Sequence, residues 1–272
     1  MKKLMYFTLI LIILGSISIF GAWSPIAHAE TSEARYADSP IISAIAVENV
    51  YYTSRVIVDN AKTDGGAPTF VTVDGISNAC GAIAGAEIVA FYDKYYPNLI
   101  PGWDSYYPAT GKYRSQNGTY INPMMQELYR LMQTNVAGEG VSESEFKTGL
   151  QQYFTNHGYS ASFSSVKSGS TLNYSACKTA VDNNKVMVLF TTPGNIYQIS
   201  EESNYDAIIS YNIGGNHIMI AYGYLQIKYY NGSGLFRTDT YLEVATGRDM
   251  PAKAYYKIDS SNLEAAYIVN VS

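Results

Sequence analysis

The stretch GISNACGAIAGAEIVAFYDKYY, residues 75–96, constrains the fold more than any other part of the chain. Ile83, Ala86, Ala90 and Phe91 recur near one face at helical spacing, and Pro97 stops the run. Gly81, Ala82, Gly85 and Ala86 are small, so this predicted helix can approach a neighbouring sheet closely. Asn78 or Ser77 is placed to cap it, and it is expected to reach about Tyr95. One of only two cysteines, Cys80, stands at its start.

Two further helices are expected. Asn122-Pro123 supplies a cap and a first-turn proline ahead of an apolar stripe of Met124, Leu128, Leu131 and Met132. Ser142-Glu143-Ser144-Glu145 is a capping box. It opens a helix that carries Phe146, Leu150, Tyr153 and Phe154 and closes at His157-Gly158. The period then changes. Tyr159, Ala161 and Phe163 alternate as a strand does, a short helix spans 175–182, and an apolar strand covers 186–190. After a polar loop, strands are expected over 217–228 and 236–246, turning at Asn231-Gly232-Ser233-Gly234, then over 254–258 and 266–271. Helices first and a mostly antiparallel sheet second read as α+β.

The ends of the chain set its compartment. Lys2 and Lys3, an apolar run over residues 5–20, and Ala27-His28-Ala29 form a secretory leader over residues 1–29 of bacterial type. A secreted chain would begin at Glu30. No second apolar run is long enough to span a bilayer, so no membrane insertion is expected after the leader is removed. The net charge is −5, both leader charges are basic, and no basic cluster remains, which argues against nucleic acid or anionic lipid as partners. Residues 30–72 read as an arm or propeptide-like segment, with short extended pieces near 50–58 and a turn at Thr63-Asp64-Gly65-Gly66. Residues 73–272 form the main domain.

A thiol at a helix start meets unpaired backbone N–H groups and the positive end of the macrodipole, which favour a thiolate. A neutral imidazole suits the accompanying base. His157 sits at a helix end, where a cation is mildly favoured. His217, in GGNHIMIAYGY, opens a strand just after a glycine pair and is the better base. The other uses of Cys80 are inert packing or a disulfide with Cys177, which export would permit. Cys177 itself reads as a small buried apolar residue. No His-Glu-x-x-His, Cys-x-x-Cys, phosphate loop or Gly-x-Ser-x-Gly is present, and two histidines after the leader leave little scope for a zinc site.

The segments NACGAIAGAEIVAFYDKYYPNLIPGW, EFKTGLQQYFTNHGY and NHIMIAYGYLQIKYY resemble the papain-like cysteine peptidases, in the bacterial branch related to bacteriocin-exporter peptidase domains. The resemblance covers about residues 70–270. It implies a helical left lobe, an antiparallel β-sheet right lobe and a cleft between them, with Cys80 as nucleophile and His217 as base on a protein or peptide substrate, and no cofactor. The family's oxyanion glutamine is replaced here by Asp74, which cannot donate when ionised. Asn78 is the candidate donor, or else a simple helix cap. The family orients its histidine with Asn or Asp. A hairpin turn near Gly232 puts His217 opposite about residue 247 and leaves Asp239 roughly 26 Å along the strand. Thr246, with Asp249 close by, is therefore the orienting candidate. The alternatives are an amidase of cell-wall peptides with the same dyad, or a catalytically impaired binding module whose tyrosine-rich loop carries Trp103, Tyr106, Tyr107 and Tyr113. That loop, over 97–120, is also a candidate lining of the substrate cleft.

Overall fold

A computed structural model of the chain describes residues 33–38, 41–248 and 253–272. The predicted leader over 1–29 and the candidate Asp249 lie outside these residues. A two-residue strand β1 (Arg35–Tyr36) precedes two long ones, β2 (Ile41–Tyr51) and β3 (Ser54–Lys62). Helix α1 (Cys80–Asp93) is followed by a small hairpin, β4 (Tyr106–Tyr107) and β5 (Lys112–Tyr113). Then come α2 (Gly118–Leu131), β6 (Val141–Ser142) and α3 (Glu143–Asn156). The remainder is β7 (Ala161–Ser165), β8 (Lys167–Ser168), β9 (Thr171–Leu172), α4 (Tyr174–Asp182), β10 (Met187–Thr191), β11 (Gly194–Glu201), β12 (Tyr205–Ile213), β13 (His217–Asn231), β14 (Gly234–Ala245), β15 (Ala254–Lys257) and β16 (Leu263–Val271).

A ten-stranded sheet runs β2-β12-β11-β15-β14-β13-β10-β16-β7, and β3 adds to β13. Its pairings are antiparallel. This sheet overturns the expected papain-like division into a helical lobe, a sheet lobe and a cleft between them. Strands from both ends of the chain share one sheet, and helices are the smaller part. Two stretches cause the difference. Residues 41–62, read as an arm with short extended pieces, are the long strands β2 and β3, paired with β12 and β13. Residues 194–213, read as a polar loop, are the hairpin β11–β12.

The fifteen-residue β13 is the spine. One edge pairs with β10 from His217 to Ala221 and with β3 from Gly223 to Tyr230, while β14 runs along the other edge. Gly223 marks the handover, where a Cβ would lie 3.0 Å from the Ala61 carbonyl. Side chains alternate across this part of the sheet. Val188, Phe190, Ile218 and Ile220 join the core beneath α1, α2 and α3, whereas Met187, Leu189, Met219 and Ala221 join a second core with Cys177, Ala180 and Val181 of α4.

Every residue of α1 is buried, as a helix apolar on nearly all sides must be. Its small residues set the spacing: a Cβ on Gly81 would fall 2.6 Å from Val141 Cγ1 and one on Gly85 2.7 Å from Met132 Cε. Helix α2 begins a turn earlier than expected. Asn117 caps it by accepting the Thr119 N–H at 3.0 Å, so Pro123 lies inside the helix rather than at its start. The capping box of α3 is formed: Ser142 Oγ accepts from Glu145 N, and Glu145 Oε2 accepts from Ser142 N.

Candidate functional site

Cys80 opens α1 with no side chain capping that end. Neither Ser77 nor Asn78 serves as the expected cap. Asn78 sits at a φ of 54°, and its amide donates to Asn135 Oδ1 at 3.0 Å, tying the chain before α1 to the loop before β6. The same Asn135 oxygen accepts the Gly140 N–H at 2.6 Å. Asp74 lies exposed on the preceding turn. No side chain caps this start, and the one hydrogen bond of the Cys80 sulfur among the described residues is to the Ala37 carbonyl at 3.4 Å; the backbone of Ile218 and Gly81 acts to lower the thiol pKa. Both cysteines are free thiols, and Cys177 is buried under the sheet on α4.

Ile218 follows His217 directly, and a Cβ on Gly81 would lie 3.5 Å from Ile218 Cδ1, so the start of β13 packs against the start of α1. The His217 ring is buried, and its Nε2 lies 2.7 Å from the Thr246 carbonyl oxygen. A carbonyl can only accept, so Nε2 carries the proton and Nδ1 is the bare nitrogen. Nδ1 is buried with no hydrogen-bond partner. Thr246 thus orients the imidazole, but through its backbone; its hydroxyl accepts the Arg248 N–H at 3.2 Å instead. Asp239 is engaged far along the hairpin by Arg237 and Tyr241.

Two charged groups act on both Cys80 and His217. Asp38 and Arg248 form an ion pair at 3.1 Å, and each influences both titrations. Burial dominates. It pushes the Cys80 thiol up to about 12, against the smaller opposing effect of the Ile218 and Gly81 amides. Burial, helped by Arg248, pushes His217 down to about 4. Burial thus works against the thiolate expected at a helix start, because desolvation outweighs the helix end.

No family model, no curated protein and no solved structure matches this chain.

A cavity of about 350 Å³ adjoins the site, lined by Phe70, Tyr222, Thr246, Gly247, Arg248 and Lys253. The 97–120 loop is not beside Cys80. Ser105 Oγ donates to the Ala90 carbonyl and Tyr113 stacks on Phe91, ten or more residues along α1 and roughly 15 Å from its start. His157 caps α3 elsewhere, its ring stacked on Tyr153 at 4.3 Å. Among the described residues, no group of three or more His, Cys, Asp or Glu could hold a metal ion.

Sequence reasoning did not anticipate Asp38, Arg248 or the carbonyl role of Thr246. Nothing local flags Asp38, which reaches the site only because residues 33–38 fold back over it. A backbone acceptor has no side-chain signature at all.

Proposed function

We propose that this chain is a cysteine peptidase, with Cys80 as the nucleophile and His217 as the general base. The observation that carries the reading is the His217 ring itself: Nε2–H is held on a carbonyl and Nδ1 is buried with no hydrogen-bond partner, on the strand start that packs against the first turn of α1. A structural histidine buried this deeply would normally satisfy both nitrogens. A general base has to keep one lone pair unused.

In the reaction, Nδ1 takes the thiol proton as sulfur attacks a peptide carbonyl, and the imidazolium then protonates the leaving amine. The N–H groups of the uncapped α1 start are the available donors for the developing oxyanion. Asn78 is a weaker candidate for that task than sequence suggests, since its amide already serves Asn135. The substrate is a protein or peptide, and no metal or cofactor enters the chemistry. Cys80→Ala should abolish hydrolysis of an unstructured protein such as casein and labelling by an epoxide thiol probe. Equal labelling of the variant and the parent chain would overturn the reading.

A further inference from the structure

Residues 33–38 cross the site as an extended peptide, and five of the six make a defined contact. The Glu33 carboxylate accepts from Ser144 N at 2.8 Å and Ser144 Oγ at 2.6 Å. Arg35 donates to the Gly140 carbonyl at 2.9 Å and pairs with Glu145 at 3.0 Å, while its own carbonyl accepts from Asn216 Nδ2 at 2.8 Å. Arg35 and Tyr36 pair antiparallel with Ser142 and Val141. The Tyr36 ring is buried with Val141, Phe146 and Phe190, its centroid 5.2 Å from that of Phe190. The Ala37 N–H donates to the Asn216 carbonyl at 3.3 Å, and the Ala37 carbonyl accepts from Cys80 Sγ at 3.4 Å. Asp38 closes the set on Arg248.

That pattern is how a peptide is presented for cleavage. Main-chain pairing fixes the register, an aromatic side chain anchors it, and the Ala37 carbonyl oxygen accepts from the thiol, which leaves the carbonyl carbon a short shift from the sulfur. Gly140 is part of the fit: a Cβ there would fall 1.8 Å from the Tyr36 carbonyl oxygen. We propose that residues 33–38 are this site's own first substrate, that Cys80 cleaves the Ala37–Asp38 bond, and that the uncut segment shuts the site to other peptides. The proposal rests on the peptidase reading and adds a preference to it: a large aromatic residue two positions before the cut, a small one before it, and an acidic one after it, facing Arg248.

The step balances with one water. His217 Nδ1 takes the thiol proton, and sulfur bonds to the Ala37 carbonyl carbon, sending an electron pair to oxygen. Collapse of that intermediate breaks the bond to the Asp38 nitrogen, which receives the proton from His217. Water then adds to the Ala37 thioester, releasing a carboxylic acid and restoring the thiol. The high thiol pKa in the closed arrangement is consistent with slow turnover of the segment.

The test uses the full chain, its Cys80→Ala variant and a Tyr36→Asp variant, each checked for folding by circular dichroism. N-termini are read by mass spectrometry during incubation with a reductant at neutral pH. The parent chain should accumulate a species beginning at Asp38 at a rate unchanged by dilution, and Cys80→Ala should stay whole. Tyr36→Asp should alkylate at Cys80 at least about tenfold faster, because its anchor is lost. Hydrolysis of acetyl-Arg-Tyr-Ala-aminocoumarin amide by Tyr36→Asp, while the parent chain remains uncut, would overturn this inference and leave the peptidase reading standing. Cleavage at Ala37 that persists in Cys80→Ala would also overturn it. No hydrolysis by any chain, with Cys80 alkylated equally in parent and Tyr36→Asp, removes both.

Discussion

At the residue scale the site depends on a backbone acceptor. Because His217 Nε2 is held by the Thr246 carbonyl, Thr246→Ala should keep kcat/KM within about threefold of the parent, whereas His217→Ala should lose about 10²–10⁴-fold. Steady-state hydrolysis of a tripeptide amide by the opened chain checks both; a Thr246→Ala loss as large as that of His217→Ala would show that the hydroxyl, not the carbonyl, matters. Hairpin arithmetic placed Thr246 close to His217, in keeping with a register that pairs Ile220 with Ala245 and with the Thr246 carbonyl on the ring. It attached the role to the wrong atoms because side chains are all that sequence displays. The thiol was misjudged for a related reason. A helix start is legible in sequence, but the burial that overrides it comes from residues more than forty positions away.

At the element scale, tolerance to added volume differs along the helices. Gly85 and Gly149 both face Met132, yet Gly85 meets the flexible end of its side chain, while a Cβ on Gly149 would lie 2.6 Å from the Met132 backbone nitrogen. Gly149→Ala should therefore destabilise by about 1–3 kcal/mol and Gly85→Ala by clearly less, measured by urea denaturation. Equal effects would mean that α2 and α3 adjust as freely as a methionine tip. Helix α3 was legible because its capping box is a local signal. Strands β11 and β12 were not: the buried position 198 in β11 is Gln, held by Tyr211, and Asp206 is buried in β12 beside Arg55 and Tyr229. Polar residues paired inside the sheet read as loop when the partner is unseen. In β2 the exposed Ile45 and Val47 reverse the usual cue.

For the whole molecule, two buried groups oppose one another across the pH range. His217 must stay neutral, and its folded pKa is below its ordinary value. Its contribution is complete above pH 6.5 and is lost as pH falls toward 4. Glu87, fully enclosed in α1 with Oε1 on the Phe70 amide and Oε2 unpartnered, is pushed up to about 8 by burial. Its contribution is complete below pH 4.5 and is lost as pH rises toward 8. Glu87→Gln should accordingly raise Tm by at least about 4 °C at pH 8 and leave it unchanged near pH 4.5. Parallel Tm curves across that range would show that Glu87 titrates normally. The segment over Cys80 has a consequence at this scale too. It is joined to β2 by only a few residues, so on the self-cleavage proposal it would compete with any free peptide at an effective concentration in the millimolar range. An outside peptide of ordinary affinity would hardly displace so short a tether, and an intact preparation would pass for inert protein until its arm had been released.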